Sequence, residues 1–153
     1  MTQVLRIPIF IPLAVGAVVI LGTMFIHALP VSATLGFLRH ERRLGHTGRS
    51  FWSDFPVVML AMVTTLTAHL IEMALWAEVF VLCGEFQYFG TAYYHSAVNY
   101  TTLGYGDLVM SPRWRFLGPL EAANGMLLFG VSTAMIFALI QWLVQARFAD
   151  LRK

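Results

Sequence analysis

Apolar residues run with few polar interruptions over three long stretches of this chain, roughly Ile7 to Leu38, Phe55 to Cys83 and Leu117 to Ala146. A helix crosses a bilayer in about 20 residues. Each stretch therefore predicts a transmembrane helix with length to spare for tilt, kinks or interfacial ends. Pro8 and Pro12 crowd the start of the first, so regular helix is expected from near Leu13, and Pro30 predicts a kink or an end before Arg39. The second opens on a start signal, Ser53 and Asp54 followed by Pro56.

Between the second and third stretches, Gly84 to Phe116 is less apolar and too short to make a folded domain. Thr91 to Tyr100 predicts a helix of about three turns, capped at its start by Thr91. It is stopped by Thr101 to Asp107, which reads TTLGYGD. The expected arrangement is one short helix dipping into the membrane and one extended segment climbing back out. The negative end of the helix dipole would then favour a cation nearby.

Bare backbone is tolerated at membrane depth only where protein buries it or where it lines a wet path. Consecutive carbonyls aim the same way when the chain alternates between ordinary and positive φ, and glycine reaches positive φ without steric cost. Gly104 and Gly106 supply such positions, Tyr105 between them points its ring outward into packing, and the Thr102 hydroxyl adds an oxygen at the inner end. Taken alone, a Gly-Tyr-Gly-Asp stretch is a turn between helices; its setting between two spans points to ion binding instead.

Composition sets the frame for that chemistry. The 153 residues are 58% hydrophobic and 12% charged, with a mean hydropathy of +0.71, which excludes an ordinary soluble domain. The net charge of +2 and pI near 9.0 do not call for a nucleic-acid partner, because the basic residues cluster in short loops where topology explains them. Arg39, Arg42, Arg43 and Arg49 follow the first stretch, and Arg147, Arg152 and Lys153 follow the third, against Arg6, Arg113 and Arg115 on the other side. That asymmetry predicts a multi-pass plasma-membrane protein with its N-terminus outside and its C-terminus cytoplasmic. Val31-Ser32-Ala33 resembles a signal-peptide cleavage site, but cleavage would export the arginine loop, so the first stretch is read as structure. Cys83 is the only cysteine, which rules out an internal disulfide framework.

His69 and Glu72 share a face of the second helix at a spacing of three, and ionisable groups inside a membrane are costly enough to suggest function. They either sense pH or form a buried pair bonding the neighbouring span, with Thr65 on the same stripe. Two such residues are too few for a metal site, and the other histidines are distant in sequence. His40 and His46 lie in the charged loop and are expected in water. No stretch carries arginine at every third position, so no helix that senses the membrane field is expected, and any conformational control is expected within the spans, the segment between them, lipid or an unseen partner. No nucleophile or metal cluster is expected beside His69 and Glu72, and no enzymatic activity is expected.

Span, short helix, TTLGYGD and span, from about Asp54 to Ala146, resemble the potassium channel pore-domain superfamily, whose filter motif reads TVGYG. Thr102, Gly104, Tyr105 and Gly106 match that motif, and Leu103 stands in place of valine. The resemblance implies an all-α integral membrane protein: three transmembrane helices plus a re-entrant pore helix and selectivity filter, assembling as a homotetramer around one pore. It divides the chain into a peripheral transmembrane helix (1–38), a basic cytoplasmic loop (39–53) and an ion channel pore domain (54–153).

Further roles follow from the same resemblance. Potassium ions bind the carbonyls of Thr102, Leu103, Gly104 and Tyr105, with Gly106 shaping the mouth and no other cofactor expected. Thr101, Asp107, Tyr94 and Glu121 support the filter. Tyr94 falls where many relatives place a tryptophan bonded to the aspartate, and Val98 falls where some carry a glutamate. Glu121 either backs the filter or reaches outer water. Gly125 and Gly130 are candidates for a hinge in the third span or for close helix packing, and Ser132 and Thr133 either line the cavity below the filter or bond back to their own helix. The function implied is passive, potassium-selective conduction by a lipid-embedded homotetramer. Its alternatives are a weakly selective cation pore and a non-conducting subunit regulating an unidentified partner channel.

Overall fold

A computed structural model describes residues 9–43 and 51–150. Ile7 and Pro8, the basic residues Arg6, Arg49, Arg152 and Lys153, and His46 lie outside the described residues. Among those described there are four helices and no strand: α1 (Phe10–Arg43), α2 (Phe51–Leu82), α3 (Phe89–Tyr100) and α4 (Leu117–Asp150). Three segments are long and apolar enough to cross a membrane, Phe10–His40, Asp54–Leu82 and Leu117–Phe148. The protein is an all-α, multi-pass membrane protein.

The helices exceed their expected bounds in ways that physics accounts for. α1 starts at Phe10, ahead of Leu13, and runs through Pro30 to Arg43. Pro30 therefore does not end it. Proline removes one backbone bond and leaves the rest of the ladder, which membrane helices tolerate. As a result α1 carries five residues, 39–43, of the segment read as a loop. α2 is already helical at Phe51, ahead of the Ser53-Asp54 signal.

α3 begins two residues before Thr91, with Tyr88 at its N-cap and no side-chain cap bond. The expected cap by Thr91 is thus corrected: the Thr91 and Ala92 amides both donate to the Tyr88 carbonyl, so Thr91 already sits within the first turn. Phe89 and Tyr93, one turn apart, bring their rings to 5.9 Å and brace that turn instead.

Contacts divide the described chain into two compact units, one of residues 9–24 and 71–128, the other of residues 25–43, 51–70 and 129–150. In the first, Trp76, Phe80, Tyr100 and Leu117 are fully buried at the centre of the core. The Phe80 ring meets His95 edge-on at 5.5 Å, and Phe86 lies 4.9 Å from the same imidazole. α1 is tied to α4 here by a polar bond, as Asn124 Nδ2 donates to Thr23 Oγ1 at 2.8 Å.

The second unit has a smaller apolar core of Val57, Ala61, Leu139 and Leu143. Beside it Arg147 Nη2 donates to the buried Asp54 carboxylate at 2.8 Å. Removing one partner of a part-buried pair strands the other, so this clamp specifies how α2 and α4 meet within the unit.

Gly125 is buried where α4 crosses the end of α3. A Cβ built there would lie 2.1 Å from the Tyr100 carbonyl oxygen, a backbone atom that cannot swing aside. Close approach therefore requires glycine at this position, whereas a Cβ at Gly130 would meet nothing within 4 Å. Gly125→Ala is expected to lower stability by about 1–3 kcal/mol, as overpacking generally does. Gly130→Ala should leave the melting temperature of the detergent-solubilised protein unchanged; equal effects of the two would contradict this packing.

Candidate functional site

The end of α3 determines the path of the segment that follows. Thr101 N–H donates to the Ala97 carbonyl at 3.2 Å and Thr102 N–H to Asn99 at 2.8 Å. Leu103 and Gly104 N–H then both reach the Val98 carbonyl, at 2.9 and 3.2 Å. A trans peptide sets its C=O opposite its N–H, and no peptide bond among the described residues is cis. The carbonyls of Thr102 and Leu103 therefore point away from α3.

Every second residue here takes a left-handed backbone: φ is +61° at Thr102, +59° at Gly104 and +74° at Gly106. The two glycines do this freely. For a β-branched residue such as Thr102 the conformation is a genuine outlier, costing of order 1–3 kcal/mol where surrounding bonds hold it. The bonds at Asn99 and Val98 supply that hold. Residues 101–107 are all exposed, and a cavity of about 410 Å³ opens beside them, lined in part by His95, Asn99, Leu108 and Gly118.

Polar side chains secure both limbs of the segment. Thr101 Oγ1 donates back to the Ala97 carbonyl at 2.6 Å. The Tyr94 hydroxyl donates to Asp107 at 2.8 Å, and that bond pushes the tyrosine above its ordinary titration range. Farther along, Glu85 accepts from both the amide and the hydroxyl of Ser111, each at 2.6 Å. His95 Nε2 lies 2.9 Å from Asn99 Nδ2, and the imidazole also bonds the Leu108 backbone. An amide nitrogen only donates, so Nε2 is the acceptor and the ring is neutral. Burial holds His95 below its ordinary range, against the opposing pull of the Leu108 carbonyl.

Two buried carboxyl groups stand on the helices around α3. Glu121 on α4 has no exposed surface, which overturns the reading that it reaches outer water. Its Oε1 lies 2.5 Å from Ser96 Oγ, and Ser96 also donates toward the Met73 carbonyl at 2.8 Å. On α2, Glu72 is equally buried and accepts the Tyr100 hydroxyl. Burial, then that bond, pushes the Tyr100 hydroxyl well above its usual range.

Within the second unit, His69 Nε2 lies 2.9 Å from Ser132 Oγ, and Ser132 lies 3.0 Å from His27 Nε2. The two imidazoles approach to 5.0 Å, and His69 stacks on Phe129 at 4.2 Å. His69 and Glu72 thus take different partners, Ser132 and Tyr100. Thr65 Oγ1 has no hydrogen-bond partner, so it does not serve the bond expected of it. Thr133 bonds back to the Phe129 carbonyl of its own helix.

Sequence reading set His27 aside as distant and gave Ser96, Asn99 and Glu85 no role. For His27 the signal was present: an ionisable residue inside an apolar span, the criterion that singled out His69.

A family model described as an ion channel matches residues 68–141. Over this segment the chain is similar to the ion channel family. The matched residues take in the second part of α2, all of α3, the TTLGYGD segment and most of α4. No curated protein and no solved structure matched the chain.

The neutral His95 generates a pH dependence. Because its folded-state pKa lies below the ordinary value of about 6.5, the unfolded state binds the proton first on acidification. The contribution of His95 to stability is complete above that value and is lost as pH falls below it. The melting temperature should therefore drop on acidification through this window, and His95→Gln should flatten that part of the profile. An unflattened profile in the variant would place the acid sensitivity elsewhere.

Proposed function

We propose that the chain is a potassium-selective channel subunit in the plasma membrane, with TTLGYGD as its selectivity filter and α3 as its pore helix. The observation that carries this reading is the alternating left-handed backbone at Thr102, Gly104 and Gly106, with the Leu103 and Gly104 amides turned onto Val98. Peptides held that way offer carbonyl oxygens on the side opposite the pore helix, which is what replacing a cation's hydration shell requires. Thr102, Leu103, Gly104 and Tyr105 bind potassium ions through these oxygens, Gly106 shapes the mouth, and Asp107 tethers it to Tyr94. Dehydrated K+ passes down its electrochemical gradient, and the carbonyl end of α3 favours its positive charge.

One chain supplies one such strand, so closing a ring takes several copies, and a homotetramer with rotational symmetry is the assembly proposed. Leu103 at 54% exposure and Tyr105 at 66% are large side chains left uncovered in a single copy, as are Met126, Leu127, Val131 and Phe137 on α4. Exposed apolar side chains of that kind suit helix packing between copies as well as lipid. The proposed orientation places the N-terminus and filter mouth outside and the arginine-rich loop and C-terminus in the cytoplasm, following the positive-inside rule. A weakly selective cation pore is the second reading, favoured by Leu103 where the resembled motif carries valine.

Gly104→Ala tests the assignment directly. Alanine at φ +59° is strained whatever the space around it. Potassium flux into vesicles should be lost while the assembled species persists on size-exclusion chromatography, and undiminished flux would sink the filter assignment.

A further inference from the structure

We infer that Glu121 is a neutral carboxylic acid that donates its proton to Ser96, and that this bond positions the pore helix between α2 and α4. The inference comes from counting protons. Ser96 Oγ lies 2.8 Å from the Met73 carbonyl oxygen and 2.5 Å from Glu121 Oε1. A carbonyl can only accept, an ionised carboxylate can only accept, and a serine hydroxyl carries a single proton. One proton does not serve two acceptors at those distances. If Glu121 were ionised and took the Ser96 proton, Ser96 and Met73 would face each other as bare oxygens. The arrangement closes when Ser96 donates to Met73 and Glu121 donates to Ser96.

The surroundings favour the same protonation state. Glu121 and Ser96 are both fully buried. Glu121 Oε2 has no hydrogen-bond partner, although the Asn99 side chain approaches the same carboxyl group. No salt bridge among the described residues includes Glu121. A buried carboxylate with no cation and an orphaned oxygen is far costlier than the neutral acid. Its role in the filter rests on the function proposed above; the proton count does not.

The geometry gives Glu121 a positioning role. α4 reaches α3 through Glu121 and Ser96, and α3 reaches α2 through Ser96 and Met73. Three residues after Ser96, Asn99 accepts the Thr102 amide on its carbonyl and holds the left-handed turn that opens the filter. Glu121 acts through Ser96; it fixes the helix from which the filter hangs.

Glutamine separates a neutral donor from a buried charge, because its amide can donate to Ser96 as the protonated acid does. The test uses the full chain reconstituted in lipid vesicles, comparing the parent with Glu121→Gln, Glu121→Ala and Ser96→Ala. The infrared spectrum of the parent should carry a protonated-carboxyl carbonyl band that disappears in Glu121→Gln. Potassium flux should be retained in Glu121→Gln and lost in Glu121→Ala and Ser96→Ala. Absence of that band from the difference spectrum would overturn the protonation. Loss of flux in Glu121→Gln as deep as in Glu121→Ala would overturn the donor role. A parent that carries the band but passes no potassium would contradict the proposed function and leave the protonation standing.

Discussion

The carbonyl oxygen of Val98 accepts two backbone amides, those of Leu103 and Gly104, and the site depends on that shared acceptor. No water is available in the hydrocarbon of a bilayer to satisfy a stray amide, and each unsatisfied buried group costs roughly 1–3 kcal/mol or more. Chain leaving a short helix at membrane depth must therefore turn its N–H groups back onto that helix. Turning them back sends the carbonyls the other way. The same constraint that makes the segment tolerable in a membrane thus arms it with outward oxygens. Left-handed φ at alternate residues is the backbone solution, and glycine at two of the three positions limits its strain.

For that turn to be useful, α3 has to be held at a fixed height and rotation. Apolar contact does little to specify this in lipid, because the acyl chains are as apolar as leucine. Polar bonds do it instead. Ser96 joins α3 to Met73 of α2 and Glu121 of α4, Tyr100 bonds Glu72 of α2, and Asn124 of α4 bonds Thr23 of α1. Gly125 then lets α4 reach the Tyr100 carbonyl, where any side chain would push it off. In the other unit the Asp54–Arg147 pair and the His27–Ser132–His69 chain join that unit's own helices.

Much of this was legible in the residues. The three spans, the short helix ending at Tyr100 and positive φ at Gly104 and Gly106 follow from hydropathy, length and glycine chemistry. Boundaries were less legible. Pro30 punctuates a soluble helix but passes inside a membrane one, and the start of α3 depends on Tyr88 backbone geometry with no side-chain signature. The left-handed Thr102 was hidden because its propensity argues against it and only tertiary bonds enforce it. Glu121 and Gly125 stood out as residue types, yet burial of the one and the contact of the other need the crossing of α4 over α3. Ser96, a small polar residue on a short helix, gives no signal until two acceptors are seen on its hydroxyl.

The most direct measurement is the reversal potential of the purified protein in a planar bilayer under opposed potassium and sodium gradients. Carbonyls held outward by Val98 should dehydrate potassium and reject sodium, giving a reversal close to the potassium equilibrium value. A reversal midway between the two ions' values would contradict the selective filter, and conduction unchanged by Gly104→Ala would place the ion path elsewhere.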